Sequence, residues 1–248
     1  MASSIRFLAV AALVVSCSPD FDLLQGGIVG GQADAGGEAM GGKAGMGGEA
    51  AGGKVGAGGA VGATVTFVDG QGVGAMAGPG WIALGAQDTL TSPVCTRVSG
   101  SSSCGSVAWT SPDSLCASGN IPMVVGGDYA DNWGIEIGVD ASKAPDTQIG
   151  TAYSTITVNF TGLPTTDLSI ELHRSGDLPT TTYCHGSIAS GTAYPLTSFN
   201  TQCYGAGGVQ FAPTDNVKID QVGLQVTSST TSAFTLIDLC LDSIVFSL

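Results

Sequence analysis

The chain has 248 residues, and 20 acidic against 7 basic side chains give it a formal net charge of −13. Such a charge repels nucleic acid and excludes a polybasic membrane-binding patch. The seven cysteines include no CxxC pair, which argues against zinc ribbons and thioredoxin-like redox sites because both need two thiols within one turn. Nucleic acid is therefore not expected among its partners.

The first sixteen residues have the features of a secretory signal peptide. Arg6 and the amino terminus form a short basic region, and the mostly apolar residues 7–15 that follow are too few to span a bilayer. The run that ends at Ser16 and Cys17 resembles the lipobox of bacterial lipoproteins. This resemblance implies cleavage before Cys17, diacylation of its sulfur, and export to the outer membrane or cell surface with the lipid as the only anchor. The alternative is ordinary secretion with cleavage at a nearby small residue.

Residues 17–63 are predicted to form a lipid-anchored, flexible tether. Nearly every second residue at 26–63 is glycine, interleaved with alanine and isolated Glu, Lys or Met. The segment has no three-residue collagen period and too little apolar bulk for a core. A disordered linker of this composition has a root-mean-square reach of about 35 Å.

Residues 64–248 differ in kind, because short segments of alternating apolar and polar residues are separated by Gly, Pro, Asn and Asp. At 132–139, for example, Ile135, Ile137 and Val139 share one face, whereas Glu136 lies on the other. No stretch shows a convincing helical period. The pattern predicts an all-β domain, an antiparallel β-sandwich, with strands at 132–139, 154–160, 168–173, 220–227 and 234–246.

Six cysteines remain once Cys17 is assigned to the lipid. An even number in an exported chain predicts three disulfides, and six cysteines allow 15 pairings that the spacing alone does not separate. The six are Cys95, Cys104, Cys116, Cys184, Cys203 and Cys240.

Several short motifs across 64–248 resemble those of secreted bacterial jelly-roll domains of the galactose-binding-like, carbohydrate-binding-module kind. They are GAMAGPGW at 74–81, ALG at 83–85, LCASG at 115–119, DNWG at 131–134, SFNTQCY at 198–204 and LCLDSI at 239–244. The resemblance implies a jelly roll whose first and last strands are neighbours, which suggests a Cys116–Cys240 bridge. The other pairs are then Cys95–Cys104, around a short Ser/Gly loop, and Cys184–Cys203, around a turn-rich excursion.

In that fold, polar side chains on the sheet face opposite the apolar one are expected to bind a sugar. Such side chains offer paired hydrogen bonds, and flanking glycines let a ligand approach the backbone. The alternative is a solvated outer face. The residues are Glu136, Thr157, Asn159, Glu171, His173, Gln221 and Gln225.

Aromatic rings are the usual second component of sugar binding, because the C–H faces of sugars stack on them. Five rings lie near strand or loop ends and are candidate platforms: Trp81, Trp109, Tyr129, Tyr183 and Tyr204. Of these, Tyr129 and Tyr204 are assigned to the ligand site. Trp133 alternates with the apolar residues and is assigned to the core.

A structural calcium ion is often present in related sandwiches, near the first strand and an acid of the last strand. Asp242 matches such an acid in position, and Asp69 could join it through oxygen ligands. The alternative is two surface aspartates.

The resulting hypothesis is a monomeric, surface-tethered, non-catalytic domain that binds polysaccharide or glycan. A second hypothesis is a polysaccharide hydrolase or lyase, with Glu136 and Glu171 as a carboxylate pair or His173 with Arg174. The chain has only two histidines, and its sequence shows no nucleophile motif and no metal-ligand cluster, which favours the binding hypothesis. Convergence of the acids and His173 in one cleft, with a shielded carboxylate, would favour the second. A purely structural or adhesive surface protein is the third, and it predicts a flat polar face without a pocket.

Overall fold

A computed structural model describes residues 62–97, 102–127, 129, 132–144, 147–162, 168–178, 180–203 and 207–248. The predicted signal peptide, Cys17 and nearly all of the predicted tether lie outside the described residues. Within them the chain forms fourteen β-strands, two short 3-10 helices and no α-helix.

The strands alternate with turns along the whole described chain, and the 3-10 helices span Leu196–Ser198 and Pro213–Lys218. The strands are β1 (Ala63–Val68), β2 (Gln71–Gly74), β3 (Gly80–Leu84), β4 (Thr89–Ser92), β5 (Val94–Arg97), β6 (Cys104–Ala108), β7 (Leu115–Ile121), β8 (Gly134–Asp140), β9 (Thr155–Thr161), β10 (Leu168–Arg174), β11 (Tyr183–Gly186), β12 (Ala193–Pro195), β13 (Ile219–Thr227) and β14 (Phe234–Ser247). The five segments predicted from alternation correspond to β8, β9, β10, β13 and β14, each within two residues at its ends.

Two antiparallel sheets form a β-sandwich, as predicted. Sheet A has seven strands: β12, β9, β14, β1 and β2 follow one another, and β7 pairs with the first half of β14 and with β4. Sheet B has five strands in the order β11-β10-β13-β8-β3. The β5–β6 hairpin is a separate two-stranded ribbon beside β3.

The core lies between the two sheets and contains the apolar side of every predicted alternating segment. Burial of these side chains from water is the main stabilising contribution. The inward residues, all less than 5% exposed, are Ile135, Ile137 and Val139 of β8, Ile156, Val158 and Phe160 of β9, Leu168, Ile170 and Leu172 of β10, and Val222, Leu224 and Val226 of β13.

All six described cysteines are joined in three disulfides. They are Cys95–Cys104, Cys116–Cys240 and Cys184–Cys203, the three pairs expected above. The first and last strands, β1 and β14, are neighbours as the resemblance implied, but Cys116 does not lie on the first strand. It lies on β7, directly opposite Cys240 on the other half of β14.

Candidate functional site

The outer side of sheet B brings together most of the polar residues predicted to bind a ligand. Strand register places Glu171 of β10 opposite Gly223 of β13, which is opposite Gly138 of β8, which in turn is opposite Trp81 of β3. In the row on one side of this one, Glu136 of β8 is opposite Gln225 of β13, which is opposite Ser169 of β10. In the row on the other side, Asp140 of β8 is opposite Gln221 of β13, which is opposite His173 of β10.

Two glycines in the middle of this face, Gly138 and Gly223, leave space that neighbouring side chains fill. The Trp81 ring occupies the space where a side chain on Gly138 would lie, and the Glu136 carboxyl occupies the corresponding space above Gly223. Trp81 is 6% exposed and Glu136 3%, so both side chains are buried on the outer side of the sheet. Alternation correctly assigns Glu136 to the face away from the apolar core, but that position is not solvated.

Three acids of this face have raised pKa values, and we call Glu136, Glu171 and Asp140 the carboxyl cluster. Burial raises the pKa of Glu171 to about 7. Burial, followed by the neighbouring charge of Glu171, holds the pKa of Glu136 well above its ordinary value. Burial also raises the pKa of Asp140 to about 7, although hydrogen bonds from Trp81 and Gln221 act in the opposite direction. Near neutral pH the cluster therefore retains protons that exposed carboxyls would have lost.

His173 borders the carboxyl cluster, but both of its ring nitrogens are already bonded. Nδ1 lies 2.7 Å from a carboxylate oxygen of Asp220, and Nε2 lies 3.3 Å from the carbonyl oxygen of Leu178. Burial lowers the pKa of His173, but the hydrogen bond and charge of Asp220 outweigh it and the net pKa is raised. The His173 ring thus ties the end of β10 to β13 and to the following turn.

Arg174, the expected partner of His173 in a lyase, is also bonded within the protein. Its guanidinium donates two hydrogen bonds to the Asp177 carboxylate, at 2.8 and 2.6 Å, and a third to Asp215. It also lies over the Tyr183 ring, 5.3 Å from the ring centre.

Access to the carboxyl cluster is narrow. Glu136, Glu171, His173 and Trp81 line a common cavity of about 10 Å³. This is room for about one water molecule. A sugar ring cannot enter that space unless the surrounding side chains move.

Asn159 and Thr157 lie on the other sheet, so the expectation that all the predicted ligand residues share one face is wrong. Both belong to β9 of sheet A, where the Asn159 amide donates a 2.9 Å hydrogen bond to the Ser243 hydroxyl of β14. Alternation separates the inner from the outer side of a strand, but it does not state which of two sheets the strand joins.

From β9 across the second half of β14 to β1 and β2, the outer side of sheet A carries mostly neutral hydrogen-bonding groups, and we call this part of the sheet the hydroxyl face. Register places Thr157 and Thr64 on either side of Val245, Asn159 opposite Ser243, and Thr66 opposite Val73. These side chains are half-buried or exposed. The face comprises Thr64, Thr66, Val73, Thr155, Thr157, Asn159, Thr161, Ser243, Val245 and Ser247.

The hydroxyl face contains almost no charge, although the protein has a formal net charge of −13. Strands β1, β2, β9 and β12 contain no Asp, Glu, Lys, Arg or His. The two acids of β14, Asp238 and Asp242, each accept a hydrogen bond from a serine hydroxyl of the β7 region, at 2.9 and 2.8 Å.

The aromatic residues considered as platforms for a sugar differ in how exposed their rings are. Tyr129 is 41% exposed, between β7 and β8, and Tyr204 lies outside the described residues. Trp81 and Tyr183 are 6% and 2% exposed, so neither offers a ring face to a ligand in this conformation. Trp133 precedes β8 and is only half-buried.

The two aspartates expected to bind calcium lie in the turn after β1 and on β14. Asp69 is exposed in the turn after β1, and the Asp242 carboxylate accepts its hydrogen bond from Ser114. Across the described residues no group of three or more His, Cys, Asp or Glu side chains is suitably placed for a metal ion. Calcium binding by Asp69 and Asp242 stays a prediction from the sequence.

Two members of the buried face were not singled out from the sequence as polar partners. Asp140 ends β8 and Ser169 begins β10, where its hydroxyl donates a 3.2 Å hydrogen bond to Gln225. Their alternation with Ile137 and Ile170 would have placed them on this side, but only the register shows which strands meet.

No protein-family model and no curated protein matches this chain. In the described residues no helix is both long enough and apolar enough to cross a bilayer. The three disulfides are compatible with an extracellular protein.

Proposed function

We propose that this domain is a non-catalytic module that binds neutral polysaccharide through the hydroxyl face. The observation that carries the proposal is an extended, uncharged, hydrogen-bonding surface on a strongly acidic protein. Neighbouring strands lie about 4.8 Å apart and same-face residues about 7 Å apart along a strand, so hydroxyls recur at regular spacing. Sugar hydroxyls can bond to such groups while sugar C–H groups pack on threonine and valine methyls.

A neutral ligand fits this surface better than a charged one. A polyanion would be repelled by the overall charge, and a polycation would find almost no carboxylates on this face. A protein partner with an apolar contact surface also fits less well, because the threonine and serine hydroxyls of the face would lose their bound water without gaining hydrogen-bond partners. The motif resemblance to carbohydrate-binding modules supports the same ligand class.

The lipobox resemblance completes the proposal: the domain is held at the outer membrane or cell surface by lipid on Cys17. Export agrees with the three disulfides, and the tether would let the domain explore about 35 Å around its anchor. The module would thus keep polysaccharide close to the cell.

Affinity electrophoresis of the exported protein in gels containing neutral polysaccharides tests the binding. We expect retardation of the parent, and loss of retardation when charge enters the face through Thr66→Glu combined with Thr157→Glu. Thr214→Glu, at an exposed position on the second 3-10 helix, is the matched control and should bind as the parent does. If none of the plant, fungal and bacterial polysaccharides retards the parent protein, the proposal is contradicted. The alternative of a structural or adhesive protein then remains.

A hydrolase is the second candidate, because Glu136, Glu171 and His173 do converge and their carboxyls are shielded. A glycosidase needs one protonated and one ionised carboxyl, and the raised pKa values supply protonated acid near neutrality. The small size of the cavity and the fact that both ring nitrogens of His173 are already bonded count against it. Release of reducing ends from a neutral polysaccharide by the parent, abolished by Glu136→Gln, would establish the enzyme in place of the binding module.

A further inference from the structure

A pocket of about 300 Å³ opens where β4, β7 and the beginning of β14 meet in sheet A. Its volume is at the lower end of the range for small-molecule sites, about 300–1,000 Å³. Thr89, Asn120 and Thr235 stand opposite one another on these three strands and form one wall. The pocket shares no lining residue with the carboxyl cluster, which lies on sheet B.

The lining of this pocket combines neutral polar groups with an apolar wall. Two amides and two hydroxyls supply the polar part, from Gln87, Asn120, Thr89 and Thr235, and Phe234 contributes an aromatic ring. The remaining lining residues are Ile121, Pro122 and Ala233. Not one of the eight lining side chains is ionisable.

One hydrogen bond orients the central amide. The Thr235 hydroxyl donates to the carbonyl oxygen of the Asn120 side chain at 3.1 Å, so the NH₂ group of Asn120 is the part with two donors to offer. Asn120 and Thr89 are exposed, and both are held by rigid, paired strands. Donors and acceptors on a fixed frame suit a ligand with several hydroxyls at set spacing.

We propose that this pocket binds one neutral sugar unit, with its hydroxyls on the two amides and two threonines and its C–H groups against Phe234. A charged ligand would have to give up its hydration without meeting an opposite charge, and an apolar ligand would strip water from four polar side chains. This inference rests on the proposed function, which supplies the binding of a polysaccharide chain. It adds that the pocket, on the same sheet as the hydroxyl face, would hold a single sugar unit of that chain.

Side-chain amide signals in nitrogen-15 NMR spectra of the full chain give a direct readout. We expect the NH₂ signals of Gln87 and Asn120 to shift on titration with one or more of glucose, galactose, mannose and N-acetylglucosamine. Asn120→Ala should weaken that binding by about tenfold or more, and Thr89→Val should weaken it too, since each removes a hydrogen bond to the ligand. Gln210→Ala removes an exposed amide on the other side of the molecule and should change nothing.

The outcomes separate this inference from the proposed function. If polysaccharide retards the parent and Asn120→Ala equally and no monosaccharide shifts the amide signals, the pocket is not a sugar site and the hydroxyl face stands. If monosaccharide binds but the Thr66→Glu, Thr157→Glu protein still binds polymer as the parent does, the pocket stands and the face fails. Absence of both kinds of binding overturns both proposals. Glucuronate or glucosamine bound more tightly than the neutral sugars overturns the neutral-ligand assignment.

Discussion

Replacing Glu171 by Gln should make the domain more stable at alkaline pH while changing its stability little at acid pH. Glutamine has nearly the shape of a protonated glutamic acid but cannot ionise. In the parent, burial raises the pKa of Glu171 from 4.5 to about 7, so the folded protein holds this proton more tightly than the unfolded chain does. The stabilising contribution of the proton is complete below pH 4.5 and is lost as the pH rises through 7.

The magnitude follows from the two pKa values. A shift of one pKa unit corresponds to about 1.4 kcal/mol, so the parent should lose about 3 kcal/mol between pH 4 and pH 9 through this carboxyl. Typical domains are stable by only about 5–15 kcal/mol, so the loss is large enough to measure. Because Glu136 and Glu171 titrate as a pair, removal of one charge also lets the other ionise more easily.

Urea denaturation of the parent and of Glu171→Gln at pH 4 and pH 9, with the disulfides intact, gives the four free energies of unfolding that are needed. The variant should gain about 3 kcal/mol relative to the parent on going from pH 4 to pH 9. Asp113→Asn, which removes an exposed carboxyl group, is the control for the loss of one carboxyl from the surface. A Glu171→Gln protein with the same pH dependence as the parent, or one less stable than the parent at pH 9, would refute the argument from burial.

Three further results are expected. Replacing Cys116 and Cys240 together by Ala should lower the Tm more than removal of either other bridge. Chain entropy assigns about 5 kcal/mol to a loop closed over 124 residues and about 3 kcal/mol to each shorter loop. An equal loss of Tm for all three pairs would contradict this. Gly138→Ala should cost about 1–3 kcal/mol in urea denaturation because the added methyl group overlaps the indole ring above it, whereas Gly186→Ala, on the same face but in open space, should be tolerated. Cys17→Ser should move the protein from the membrane fraction to the medium, and equal recovery of variant and parent in the membranes would rule out the lipid anchor.

Alternation in the sequence was sufficient to predict the strands with a strong apolar face. Ile135, Ile137 and Val139 define β8 in this way, and similar residues define β9, β10 and β13. The three- and four-residue strands were not predictable, since segments such as Tyr183–Gly186 are too short to show a period and gain their conformation from pairing with a neighbour. Strands β1, β3, β6 and β7, of five to seven residues, were missed as well.

The candidate sites depended on register, which the sequence does not contain. Asn159 and Glu171 both alternate away from apolar residues, yet β9 and β10 belong to different sheets. The burial of Glu136 likewise requires Gly223 to stand beside it on another strand, 87 positions further along the chain. Local patterns therefore identified polar outward residues, whereas their partners emerge only from tertiary structure.

The pairing of the first strand with the last also determines how the domain is presented to its surroundings. Ala63, near the beginning of the described residues, lies opposite Phe246 near the end of β14. The pocket beside Phe234 lies at the other end of the same strand, twelve residues and roughly 40 Å away at 3.3 Å per residue. The described chain therefore enters the sandwich at one end of β14, and the pocket opens at the other end of the same strand.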